Sequence, residues 1–339
     1  MFEAADDLYH LSGLESLTSV FFGLHIVGGH VGLPILVLTF LFSKKVSRHP
    51  TIVNFCVTWI LYSVSFCLLI YGGYNKEVHP PQTLCLIQSA LLYGTPTMAV
   101  VAMLVLIIEI WSAFYPTCEP AFFAGLPHGM RLFIILSPPY LVLLIFTLAA
   151  VYVAASNPEM VDAANGLYCA IHVEHFERFT TSVFCIVVLL TVTAFEVAIA
   201  VKSYRGWRDI KDVCPDADVR KPSLSPCFRA TVFLVYSWIT FGACIIVMAS
   251  PENLDRFSFM AQAALPLTAF IVFSTQTDVA GVWTSPISTR VERFNCLLLL
   301  KERSMRSFTR LKCGSHATPR NSSTAVPEVD YTSKIATLA

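Results

Sequence analysis

Charge is scarce in this sequence. Lys, Arg, Asp and Glu make up 14% of the chain, against roughly 25% in an ordinary soluble domain, and 55% of the residues are hydrophobic. That balance belongs to a membrane protein. The formal net charge is zero, so nothing points to nucleic acid, and the basic stretches described below suit anionic lipid. Residues 1–16 contain no Lys or Arg and so lack the positive region of a cleaved signal peptide; the first apolar run is expected to act as its own uncleaved anchor. Lysine is absent from every apolar run, and the only Asn-x-Ser/Thr acceptor, at Asn321, lies in the polar tail.

Apolar runs of about 20 residues match the thickness of a hydrocarbon core crossed as a helix. They are expected at 17–42, 52–71, 84–114, 132–155, 179–201, 230–249 and 257–283. None alternates strictly as a barrel strand does. The expected fold is an all-α membrane protein, a seven-transmembrane helix bundle spanning 17–283. A tail of 1–16 precedes it, and an amphipathic juxtamembrane segment, 284–312, and a disordered tail, 313–339, follow.

Basic residues are retained on the cytoplasmic side. Only Lys76, Arg178 and Arg256 fall on the side of the amino terminus, and the other twenty Lys and Arg lie opposite. The amino terminus is therefore expected outside and the carboxyl terminus inside, at the plasma membrane. Sorting the 11 cysteines by compartment leaves two outside: Cys85, at the start of the third run, and Cys169, in "NGLYCAIHVEH". Two cysteines sharing an oxidising side are expected to form a disulfide that clamps the outer loop over the bundle; the bland alternative is two buried thiols.

Ionisable residues inside spans are costly and are candidates for function. Here they are His25, His30, Glu109, Glu196 and Asp278. On an α-helix five residues is about 140°, so His25 and His30 would diverge, which argues against a shared metal. His172 and His175 in the outer loop read as loop histidines. Neither metal nor cofactor is expected, nor an enzyme. Gly28 and Gly32 share a helix face and allow a close helix approach, within the bundle or in a homodimer. Prolines at 34, 96, 138, 139 and 266 interrupt four spans and open room inside. With Gln88, Tyr93 and Gln262 on the outer halves, they outline an apolar pocket for a small or lipidic ligand.

Seven spans, the Cys85 and Cys169 placement and a basic third inner loop resemble a G-protein-coupled receptor. More narrowly, "LCLIQSALLYGTP", "LYCAI" and "ALPLTAFIVFSTQTDVAGVW" resemble seven-span receptor-like proteins of mushroom-forming fungi, over residues 17–283. The resemblance implies an extracellular ligand and a heterotrimeric G protein, engaged through its Gα subunit. It also implies a polar switch near the inner face, here Glu109 and Asp278 with Gln276 and Thr277, the alternative being carboxylates that snorkel to the interface. Arg205, Arg208 and Lys211, on an expected helical extension of the fifth span, would contact Gα or lipid headgroups. Cys296 is a candidate for palmitoylation on the eighth helix.

Several features depart from the rhodopsin-like class. No Arg follows Glu109, the sixth span has no proline, and "STQTDVAGVW" replaces an Asn-Pro-x-x-Tyr pattern. The absence of an intramembrane lysine excludes a retinal Schiff base of the opsin type. The competing function is a transporter or channel using Glu109, Glu196 and Asp278, against which stand outer span halves almost without charge and no internal three-plus-three repeat.

Overall fold

The computed structural model describes residues 17–43, 49–74, 80–114, 127–163, 167–173, 180–213, 225–249, 256–275, 279, 282 and 283. Helices dominate them. In chain order they are α1 (Thr18–Phe42), α2 (Pro50–Phe66, resumed as Leu68–Gly72), α3 (Gln82–Phe114) and α4 (His128–Leu136 and Pro138–Ser156). They continue with α5 (Thr181–Val213), α6 (Ser225–Ala249) and α7 (Arg256–Ala263 and Leu265–Ser274).

Five of these, α1, α3, α4, α5 and α6, contain stretches long and apolar enough to cross a membrane; α7 makes six if its halves, bent by 44°, count together. This fits a protein embedded in a membrane. Helix α2 is shorter, because its 17-residue first part stops at Cys67, resumes to Gly72 and ends on Gly73 in the left-handed region, φ 78°. Glycine meets that φ without the steric cost a Cβ brings.

The sequence explains where helices bend and where they touch. Pro266 has no N–H to give the preceding turn, so α7 breaks at Ala264; close to the break, the hydroxyl of Tyr236 in α6 donates to the Ala261 carbonyl at 3.0 Å. In α1 the stretch Ile26–Gly32, "IVGGHVG", winds as a π-helix. Its glycines let α1 lie against the broken part of α7: a Cβ on Gly28 would stand 2.6 Å from the Leu267 Cα, and one on Gly32 would stand 2.7 Å from the Phe270 ring. The close approach expected of Gly28 and Gly32 is thus made inside the bundle. Gly94 does the same for α3 and α4, where a Cβ would meet the Leu143 carbonyl at 2.9 Å.

Helix α3 runs through the middle, with Ala99, Ala102, Leu106 and Ile107 among its buried residues. Helix α4 is at the other extreme. Leu141, Leu144, Ile145, Leu148 and Tyr152 are all more than half exposed, the pattern of a helix facing hydrocarbon.

Between α4 and α5 the chain forms a two-stranded antiparallel ladder, β1 (Val161–Asp162) with β2 (Ala170–Ile171), pairing Val161 with Ile171 and Asp162 with Ala170. His172 Nε2 stands 3.0 Å from Asp162 Oδ1 beside it, a local partner for one of the loop histidines; His175 lies outside the described residues.

Candidate ligand cavity and the ties at the opposite end

The ladder is fixed to the bundle at two points. Cys85 in the first turns of α3 is bonded to Cys169, with Cα atoms 5.2 Å apart, as the compartment argument expects. One turn further along α3, Gln88 is fully buried; its Oε1 accepts from the Cys169 N–H at 3.0 Å, and its Nε2 donates to the Ser65 and Phe66 carbonyls at 3.1 and 3.2 Å. The amide thereby pairs carbonyls where α2 pauses at Cys67. Gln88 is expected from the sequence to line a pocket, and this is corrected: it is not among the residues lining the cavity beneath the ladder, and its amide bonds to backbone, joining α2, α3 and the loop.

Beneath the ladder lies a cavity of about 450 Å³, within the range of about 300–1,000 Å³ that holds small molecules. Its walls come from α2, α3, α5, α6 and α7, and residues 168–170 cover it. Tyr93 and Gln262 line it as the sequence suggests, and Tyr93 also donates to the Ile171 carbonyl at 3.2 Å. Pro96 is in the wall too, on the continuous helix α3.

Eight of the lining residues are aromatic. Trp59, Tyr62 and Phe66 recur at i, i+3 and i+7 along one face of α2. Phe66 meets Tyr168 of the loop edge to face at 5.2 Å, and Trp59 meets Phe233 of α6 edge to face at 5.4 Å. That spacing in α2 was the available signal for a wall the sequence reasoning passed over. Among the described residues, no Asp, Glu, Lys, Arg or His lines the cavity.

The π-helix changes how the α1 histidines are read. The divergence argued from α-helical rotation does not apply to an i→i+5 winding, and His30 Nδ1 sits 3.1 Å from the His25 carbonyl. The rings nevertheless go to separate surroundings. His25 is buried, stacked on Phe66 with centroids 4.9 Å apart and with Nδ1 3.4 Å from Ser63 Oγ, whereas His30 meets the Tyr71 hydroxyl.

At the end of the bundle away from the ladder, polar groups tie helices to one another. Glu109 of α3 pairs with His49, just before α2, with Oε1 and Nε2 3.3 Å apart. A short distance away, Tyr140 of α4 donates to Asn54 Oδ1 of α2 at 2.6 Å. Arg229 of α6 reaches the end of α7, where Nη1 donates to the Val272 carbonyl at 2.8 Å and Nη2 to the Thr275 carbonyl at 3.0 Å. These are carbonyls of a last helical turn, which lack partners within the helix and favour a cation. The indole of Trp283 donates to Thr39 Oγ1 of α1 at 3.1 Å. Glu196 of α5 interacts with Thr231 of α6, and its Oε1 is buried without a hydrogen-bond partner.

Glu109 therefore has a partner that the sequence did not suggest, because His49 reads as a loop residue beyond the second apolar run. Gln276, Thr277 and Asp278 lie outside the described residues, as do Cys296 and the tail. The fifth helix continues to Val213, so the expected extension is helical; Arg205 and Arg208 are exposed on it, and the side chain of Lys211 lies outside the described residues.

Compared with protein-family models, the chain matches none, and compared with curated proteins it matches none either. The functional reading rests on the chain's own residues.

Proposed function

We propose that this chain is a seven-span receptor-like protein of the plasma membrane, taking an extracellular small molecule in the cavity and signalling to a heterotrimeric G protein. In this reading α2 with its continuation and the two halves of α7 each count as one span, and the amino terminus is outside. The observation that carries it is the pairing of two unlike ends: a cavity without charged side chains among the described residues, under a disulfide-tethered loop, and a set of breakable helix-to-helix ties at the other end.

A bundle that converts binding into a signal needs two arrangements that the ligand distinguishes. The cavity touches α3, α5, α6 and α7 together, and Arg229 and Glu196 connect α6 to α7 and α5. A shift of α6 around a ligand would strain both ties. The exposed Arg205 and Arg208, with Lys211, give the inner surface its contact for Gα. The resemblance to fungal receptor-like proteins supports the same reading.

The transporter alternative draws on Glu196, the buried carboxylate with an unpartnered oxygen. It is the weaker reading, since among the described residues no carboxylate lines the cavity to lead an ion inward.

The test is co-purification of the protein in lipid nanodiscs with Gα subunits of its own cell, with and without excess non-hydrolysable GTP. Capture that the nucleotide releases, and that R205A/R208A/K211A abolishes, is the expected result. Proton flux through the wild type that Glu196→Gln stops, with no Gα capture, would replace the receptor with the transporter.

A further inference from the structure

Which molecule the cavity accepts follows from the side chains around it. An ion placed there would leave water for a site without an opposing charge, which is strongly unfavourable. Both ammonium and carboxylate ligands are thereby disfavoured, because Asp, Glu, Lys, Arg and His are absent among the described lining residues. The faces of Trp59, Phe66, Tyr168 and Phe233 favour a ring, which gains burial and edge-to-face contact with little loss of internal freedom.

The polar groups narrow the ligand further. Ser237 and Thr240 of α6 lie three residues apart and both line the cavity. Their hydroxyl protons are already engaged, Ser237 Oγ donating to the Phe233 carbonyl at 2.9 Å and Thr240 Oγ1 to the Tyr236 carbonyl at 3.0 Å. Ser89 on the facing α3 is engaged in the same way with the Leu86 carbonyl at 3.1 Å. A hydroxyl whose proton is held by its own helix keeps only lone pairs to offer, so these residues accept. Donors line the cavity too: the Trp59 indole Nε1, on a side chain 4% exposed, and the Tyr62 and Thr181 hydroxyls are buried there without a hydrogen-bond partner. An alcohol hydroxyl is a small neutral group that both donates to serine and threonine oxygens and accepts from an indole or a hydroxyl.

We propose that the cavity takes an uncharged, ring-bearing alcohol, with its ring against the aromatic faces of α2 and α6 and its hydroxyl donating to Ser237 and Thr240. This rests on the reading of the cavity as the ligand site. A methyl ether of the same skeleton keeps the ring and the acceptor but has no proton for Ser237 and Thr240. The corresponding amine and acid bring charge.

The experiment uses the full chain in nanodiscs and four probes on one skeleton: 2-(2-naphthyl)ethanol, its methyl ether, 2-(2-naphthyl)ethylammonium and 2-naphthylacetate. Dissociation constants are read from quenching of tryptophan fluorescence, with empty nanodiscs subtracted for partition into lipid. The alcohol is expected to bind about tenfold more tightly than the ether and than either ion, the ratio one well-made hydrogen bond supplies. In S237A/T240V that advantage over the ether should vanish while the ether's own affinity stays put, and Val100→Phe, which fills the cavity from α3, should weaken every probe.

Equal or tighter binding of the ammonium or the acetate, still lost in Val100→Phe, would overturn the ligand class and leave the cavity as the site. Binding of all four that Val100→Phe leaves unchanged, or no binding by protein whose Cys85–Cys169 bond is intact, would overturn the cavity reading itself.

Discussion

The two ends of this bundle are built on different chemistry. At the ladder end, helices stand apart around aromatic rings and backbone-engaged hydroxyls, and what closes the space is covalent, the bond from Cys85 to Cys169. At the opposite end the helices are drawn together by polar contacts such as Arg229 to α7 and Glu109 to His49. A covalent roof fixes the shape that a ligand meets. Hydrogen bonds and ion pairs at a half-exposed end can exchange partners, which suits the change that the proposed function asks of this end.

Breaking the roof should have the largest effect. In Cys169→Ser the lid loses its tether, and removal of a native disulfide typically costs about 2–5 kcal/mol; the melting temperature in nanodiscs should fall and probe binding should disappear. Gln88→Ala removes three buried hydrogen bonds at the same junction and leaves carbonyls of α2 unpaired. A loss of about 1–3 kcal/mol is expected. The double variant should lose less than the sum of the two, because both hold residue 169.

Packing between α1 and α7 comes next. Gly28→Val puts a side chain into the backbone of Leu267 and should lower stability by about 1–3 kcal/mol, measured by thermal unfolding. Gly23, with nothing within 4 Å of where its Cβ would stand, should tolerate alanine with no loss. A tolerated Gly28→Val would contradict the close packing of α1 on α7.

If the proposed function holds, the ties at the end away from the ladder should matter less for stability than for signalling. Arg229→Ala is expected to leave probe binding in place and to raise nucleotide exchange on Gα without ligand, since α6 is then no longer held to the end of α7. The smallest effect belongs to Glu109→Gln. With His49 and Glu109 side chains 28% and 18% exposed, their pair should contribute no more than about 1 kcal/mol, read as a small shift in melting temperature.

Much of the fold is legible in the sequence, because hydropathy in long runs depends only on local composition. The helices fall where the apolar runs are, and the Cys85 partner follows from sorting cysteines by compartment. The π-winding of Ile26–Gly32 is not legible, since "IVGGHVG" carries no period that distinguishes it, and the angular argument for His25 and His30 assumed an α-helix. Gln88 shows why polar residues in spans are hard to place: facing inward is common to a ligand contact and a backbone clamp, and only the position of the α2 pause at Cys67 decides between them. The partners of His49 and Arg229 are not legible, because Glu109 and the end of α7 lie far away in the chain. Ser237 and Thr240 were missed because a hydroxyl on an apolar helix is unremarkable until the cavity beside it is known.

The central claim, that the outer cavity and the inner ties are two ends of one signalling bundle, is tested most directly by guanine-nucleotide exchange on Gα reconstituted with the protein in nanodiscs, comparing wild type with Arg229→Ala. The account predicts faster exchange with Arg229→Ala, brought back to the background rate when R205A/R208A/K211A is added. Exchange at the background rate with both proteins, each folded and disulfide-bonded, would contradict it.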